Sequence, residues 1–213
     1  MPSRFLLSLC LCTLMSGCEA QSLALPDSEQ LTEDKVKAIA ERVEARYPDL
    51  SRNLREQILA TVVRSLDDMV FIEGGEFEMG DFGTLCNYDP SNMGTWPYGQ
   101  DPERLCPITR FNHDDHLHQV RLSSYHLSRH DDFDLFRTSQ GLPLFNEEHR
   151  DREDLADYFA ADIPAPVKTW QEAKDYCLWL GELSSYSVDL PSEAQWEFAA
   201  RNRGQYIQYA TED

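Results

Sequence analysis

The chain has no apolar run of the roughly 20 residues that a spanning helix needs; its longest, residues 5–15, is about half that. It is also poor in cations, with 19 Lys and Arg against 38 Asp and Glu and a net charge of −19. That excess of carboxylate repels phosphate backbones, so nucleic-acid binding is disfavoured. Glycine is sparse, and "EGGEFEMG" has no lysine and no following helix, which excludes a phosphate-cradling loop. No nucleophile elbow is present, and no internal repeat or low-complexity tract stands out. What remains is a chain of 213 residues, 41% hydrophobic and 11% aromatic. That is enough for one sizeable folded domain with an appendage.

The N-terminus, "MPSRFLLSLCLCTLMSGCEA", has one cation, Arg4, then the short apolar run, then Ser16 and Gly17 before Cys18. This is the layout of a secretory signal. Leu-Met-Ser-Gly ahead of a cysteine resembles a bacterial lipobox, with Met15 where leucine is commoner. Cys18 would then carry acyl chains and tether the protein to a membrane without a spanning helix. The alternative is an ordinary cleaved signal with an incidental cysteine. Either route leads to an oxidising compartment, where disulfides persist. Cys86, Cys106 and Cys177 remain after the leader, so at most one bridge forms within the chain.

Beyond Cys18, "EAQSLALPDSEQ" reads as a flexible tether. From Leu31 the period becomes helical, with Val36, Ile39, Ala40, Val43 and Tyr47 on one stripe, Thr32 as N-cap and Pro48 as terminator. A second helix places Leu54, Ile58, Val62 and Leu66 together. The pair reads as a helical hairpin that packs on itself or on the main domain; its acidity argues against a membrane-surface role. "MVFIEGGEFEMGD" alternates like a strand around a turn at Gly74 and Gly75. A polar insertion over residues 82–115 follows, holding Cys86 and Cys106. A disulfide between them would contribute about 3 kcal/mol by closing that loop, the alternative being two thiols. "HQVRLSSYHLSRH" resumes strand character. "APVKTWQEAKDYCLWLGEL" reads as a strand end and a helix burying Ala173, Cys177 and Leu180, with Trp170, Tyr176 and Trp179 adding aromatic bulk.

Few constellations offer chemistry. "HDDHLH" supplies His113, His116 and His118, with His116 and His118 on one strand face, but no distant ligand at metal spacing accompanies them, so a solvated loop is the better reading. Paired carboxylates are too common in so acidic a chain to mark acid–base catalysis. Cys177, flanked by Tyr176, Leu178 and Trp179, is placed as a structural thiol rather than a reactive one.

Three stretches together resemble the formylglycine-generating-enzyme or sulfatase-modifying-factor family, which includes ergothioneine-synthesis and pyoverdine-maturation relatives. "MVFIEGGEFEMGD" carries Gly74 and Gly75. "PAPVKTWQEAKDYCLWLGE" carries Trp170, Cys177 and Trp179. "LPSEAQWEFAAR" carries Leu190, Pro191, Glu193, Trp196, Glu197 and Arg201. The resemblance implies an α+β, C-type-lectin-like fold with little regular secondary structure, here truncated and preceded by the helical hairpin. The implied organisation is a lipoprotein signal at 1–17, a tether at 18–30, the hairpin at 31–68 and a partial family domain at 69–213. Asp189 stands where the family usually has arginine, and the stretch "YHLSRHDDFDLF" is several residues shorter than the family's.

Complete catalytic members use copper and calcium, held by residues of a C-terminal half that has no counterpart here. No residue matches a catalytic cysteine, no cofactor is expected for this chain, and exposed apolar surface is expected near its end. For "LPSEAQWEFAAR" the residues predict Pro191 in a first helical turn, a packed stripe of Trp196, Ala199 and Ala200 with Phe198 toward a neighbouring layer, and Glu193 or Glu197 pairing with Arg201. The implied function is a lipid-anchored, non-catalytic regulator or assembly accessory of the bacterial envelope, for example in type VI secretion. It would sit on the periplasmic face of the outer or inner membrane with a protein partner of unknown identity. A fragment of a copper-dependent oxidase is the alternative, and a gene fragment without function of its own the blandest.

Overall fold

The computed structural model describes residues 22–87, 94–109, 115–128, 133–155 and 167–208. Two helices lead, α1 (Glu33–Arg46) and α2 (Arg52–Asp67). Four strands follow: β1 (Met69–Ile72), β2 (Gly75–Met79), β3 (His118–Leu122) and β4 (Tyr125–Ser128). Helices α3 (Phe133–Ser139), α4 (Trp170–Ser184) and α5 (Glu193–Ala200) complete the order. The mixture is α+β, with short strands and five helices among the described residues.

The expected apolar stripes are the ones that pack. Val36, Ile39, Ala40 and Val43 of α1 meet Ile58, Leu59, Val62, Val63 and Leu66 of α2 in one buried cluster. Each such side chain contributes about 1.5–3 kcal/mol when fully buried. The hairpin does not pack on itself alone. Phe133 and Phe136 of α3 and Tyr176, Trp179, Leu180 and Leu183 of α4 complete the same core. Tyr176 stacks on Phe133 with centroids 4.4 Å apart, and Trp179 donates its indole N–H to the Tyr47 hydroxyl at 2.7 Å. Arg42 of α1 donates to the carbonyls of Leu183 and Ser184, satisfying backbone acceptors at the buried C-terminal end of α4.

Trp170 is 67% exposed and opens α4 off the stripe formed by residues 176, 179, 180 and 183, which carry the burial. Two details differ from what the sequence predicts. Ala173 and Cys177 pack at the margin of that core rather than at its centre. Thr32 holds the N-cap position of α1 but makes no side-chain capping bond.

Residues 22–30, which the sequence places in a slack tether, are docked along α2. Leu23 is 4% exposed within the helical core. The Asp67 carboxylate accepts the Ser28 hydroxyl at 2.6 Å and the backbone N–H groups of Glu29 and Gln30. The polar composition suggested solvent, but a single leucine and these bonds suffice to fix this length of chain.

The strands form a bent two-stranded ribbon. β1 pairs antiparallel with β4 and β2 with β3, and the register runs from Ile72 opposite Tyr125 to Gly75 opposite Leu122. Gly74 and Gly75 therefore mark a kink in a continuing ribbon, not a hairpin turn. A β-carbon on Gly74 would lie 2.3 Å from the Leu122 carbonyl oxygen. Only glycine allows that backbone approach.

Candidate functional site

Helix α5 begins with a capping box. The Ser192 hydroxyl accepts the Gln195 N–H at 3.2 Å while the Gln195 side chain accepts the Ser192 N–H at 2.9 Å. The helix starts two residues later than expected, so Pro191 precedes the cap instead of occupying the first turn. The packed residue of α5 is Phe198, whose ring lies 5.1 Å from that of Phe77 on β2. Trp196 is 61% exposed, because the helix turns its Phe198 face onto the β2–β3 pair and the tryptophan lies off that face. Ala199 and Ala200 are half-buried. Glu193 is exposed in the first turn, where a carboxylate favours the helix dipole.

Arg201 ends α5 and is 6% exposed. Its guanidinium donates to the carbonyls of Glu78 at 2.9 Å, Gln205 at 2.8 Å and Gly204 at 3.3 Å, and to the Glu197 carboxylate. The same plane lies 4.7 Å from the Phe82 ring centroid and 5.4 Å from that of Tyr206. Glu197 also accepts the Gly80 N–H at 3.0 Å. One charged pair therefore joins the helix, the end of β2 and the chain that follows α5.

Sequence reasoning missed the aromatic wall around this pair. Tyr206 stacks on Phe82 and meets Trp96 with centroids 4.4 Å apart, and Trp96 donates its indole N–H to the Phe82 carbonyl at 3.0 Å. Burial, reinforced by the Glu78 carboxylate that accepts its hydroxyl, pushes the Tyr206 phenol up to about 12. A phenol so raised does not transfer protons near neutrality. Asp81 was missed as well. Its carboxylate accepts backbone N–H groups from Gly83, Ile108 and Thr109, which pins both ends of the insertion. The aspartate directly after Met-Gly was the available signal.

The chain from Met69 onward resembles one family in three stretches, and a family model decides the matter. The sulfatase-modifying factor enzyme 1-like domain matches residues 55–213. The chain belongs to this sulfatase-modifying-factor family. No curated protein matches the chain. The match begins inside α2, so the second helix of the hairpin is part of the family segment.

The remaining candidate residues of this family member lie apart from the α5 clamp. Cys86 and Cys106 are joined by a disulfide, with Cα atoms 4.9 Å apart, next to a reciprocal backbone pairing of Thr84 and Cys106. Cys177 is half-buried on α4 against the helical core. His116 precedes β3 and accepts the His118 ring nitrogen at its carbonyl, both side chains exposed; His113 lies outside the described residues, as does Cys18. Asp189 pairs with Lys174 of α4. That bond, with the Leu190 N–H, holds its carboxyl below the usual carboxylate range. Leu190 is half-buried beside it.

The family's copper and calcium can be tested against these side chains. Copper(I) wants a pair of thiolates, whereas Cys86 and Cys106 are bonded to each other and Cys177 is packed on another element. Among the described residues no group of three or more His, Cys, Asp or Glu side chains is placed to hold a metal ion. The described cysteines therefore offer no thiolate pair for copper(I).

Proposed function

We propose that this sulfatase-modifying-factor protein is an exported, lipid-anchored member that acts as a regulator or assembly accessory of the cell envelope, not as an oxidase. The observation that carries the reading is the use made of the family's most specific charged residues. Glu197 and Arg201 commit their hydrogen-bonding capacity to Gly80, Glu78, Gly204 and Gln205, so the signature helix is architecture. The anchor is supported by the lipobox-like stretch ending at Cys18 and by the oxidising chemistry that a Cys86–Cys106 bridge requires. No described helix is long and apolar enough to cross a membrane. The lectin-like topology of the wider family is the fold proposed for the α+β arrangement.

The protein would face the periplasm from the outer or inner membrane and work through contact with another protein, type VI secretion being the first system to test. Incorporation of labelled palmitate into the wild type, abolished by Cys18→Ala, tests the anchor; an unlabelled wild type contradicts it. Deletion of the gene with restoration by wild type but not by Cys18→Ala, read as effector release, tests the accessory role. Unchanged release on deletion contradicts the type VI assignment.

A further inference from the structure

Residues 22–31 form a strap that leaves the anchor almost no slack. The strap runs parallel to α2. The Ser22 carbonyl accepts Arg52 at 2.9 Å and the Ala24 N–H donates to Glu56 at 3.1 Å, both at the start of the helix. Ser28, Glu29 and Gln30 bond Asp67 at its end, and the Gln30 amide also donates to the Asp67 carbonyl at 2.6 Å. Leu23, buried in the helical core, locks the first turn of this contact.

We infer that the acylated chain is held end-on to a phospholipid surface, with the N-terminal end of α2 nearest the headgroups. This rests on the lipid-anchor reading above. Only the stretch from Cys18 to Ser22 is left to span the gap, and four residues reach at most about 14 Å. A slack tether over 18–30 would instead reach about 40 Å. The body carries a large excess of carboxylate and is repelled by anionic headgroups, which turns the bulk of the molecule outward. The far end of α2 stands about 24 Å further along the helix axis. A partner protein would therefore meet the ribbon and α5 rather than the start of the hairpin.

The test uses the full lipoprotein in vesicles of phosphatidylethanolamine and phosphatidylglycerol carrying spin-labelled headgroups. A fluorescent amino acid is placed at exposed Asn53 or exposed Arg64, near opposite ends of α2. Quenching should be stronger at Asn53, and a flexible Gly-Ser insertion between Gln21 and Ser22 should abolish the difference while the protein stays in the vesicle fraction. Equal quenching at the two positions before insertion overturns the inference and leaves the anchor standing. Hydrogen exchange at the Ala24 and Gln30 amides reads the strap without the lipid, in Cys18→Ala protein. Slow exchange there supports the docked strap; exchange at the rate of an open chain overturns it. Absence of palmitate on the wild type removes the anchor and the inference together.

Discussion

Glu197 and Arg201, one turn apart on α5, clamp the signature helix to the end of β2: Glu197 accepts the Gly80 N–H at 3.0 Å and Arg201 donates to the Glu78 carbonyl at 2.9 Å. Removing one member of so buried a pair leaves the other uncompensated. Arg201→Ala is expected to destabilise the protein by about 3–5 kcal/mol. Glu197→Gln keeps an acceptor for Gly80 and is expected to cost less, roughly 1–3 kcal/mol. Denaturant unfolding of both variants measures this, and equal losses would contradict the clamp.

Gly204 lies under Phe77 with φ of +79°, and a β-carbon there would sit 2.3 Å from the phenylalanine's own. Gly204→Ala is expected to lower stability by about 2–4 kcal/mol through left-handed strain and the clash. Gly94 serves as the control, because a β-carbon there would meet nothing within 4 Å. Its alanine variant should be neutral or gain up to about 1 kcal/mol.

Tyr206 supplies a pH signature at the alkaline end. Its folded value, raised to about 12, exceeds that of an unfolded tyrosine. The protein therefore keeps this contribution below the ordinary phenol range and loses it as pH rises toward 12. Tyrosinate absorbance should show a late-titrating phenol that Tyr206→Phe removes. An unchanged titration in that variant would refute the assignment.

At the acid end the strap provides the probe. The Glu56 carboxyl lies below its ordinary value, first through the Ala24 N–H and then through Arg52. A depressed carboxylate contributes above its unfolded value and stops contributing as pH falls through the folded one. Protection of the Ala24 amide should accordingly be lost on acidification, and Glu56→Gln should make it insensitive to pH in that range. Hydrogen exchange followed across the carboxylate range checks both.

The helices were legible because their apolar residues recur at one period: Ile58 and Val62 announce a face, and that face is the one buried. The family was legible in Leu-Pro-Ser-Glu and its neighbours, since those residue types recur in order. Orientation was not. Periodicity alone cannot say whether Trp196 or Phe198 meets the ribbon, because a helix of eight residues offers both faces. The kink at Gly74 was hidden for a related reason. It depends on Leu122 lying across the ribbon, a contact set by pairing nearly fifty residues away. The strap was invisible because it rests on bonds to Asp67 and one buried leucine, neither of which has a period.

Whether the signature helix serves architecture and an accessory role, instead of thiol oxidation, is open to one direct measurement. The full chain is incubated with copper, oxygen and a cysteine-containing peptide, and the peptide is read by mass spectrometry. An accessory protein leaves the cysteine unconverted at every copper level, which is the expected result; copper-dependent appearance of formylglycine would contradict it.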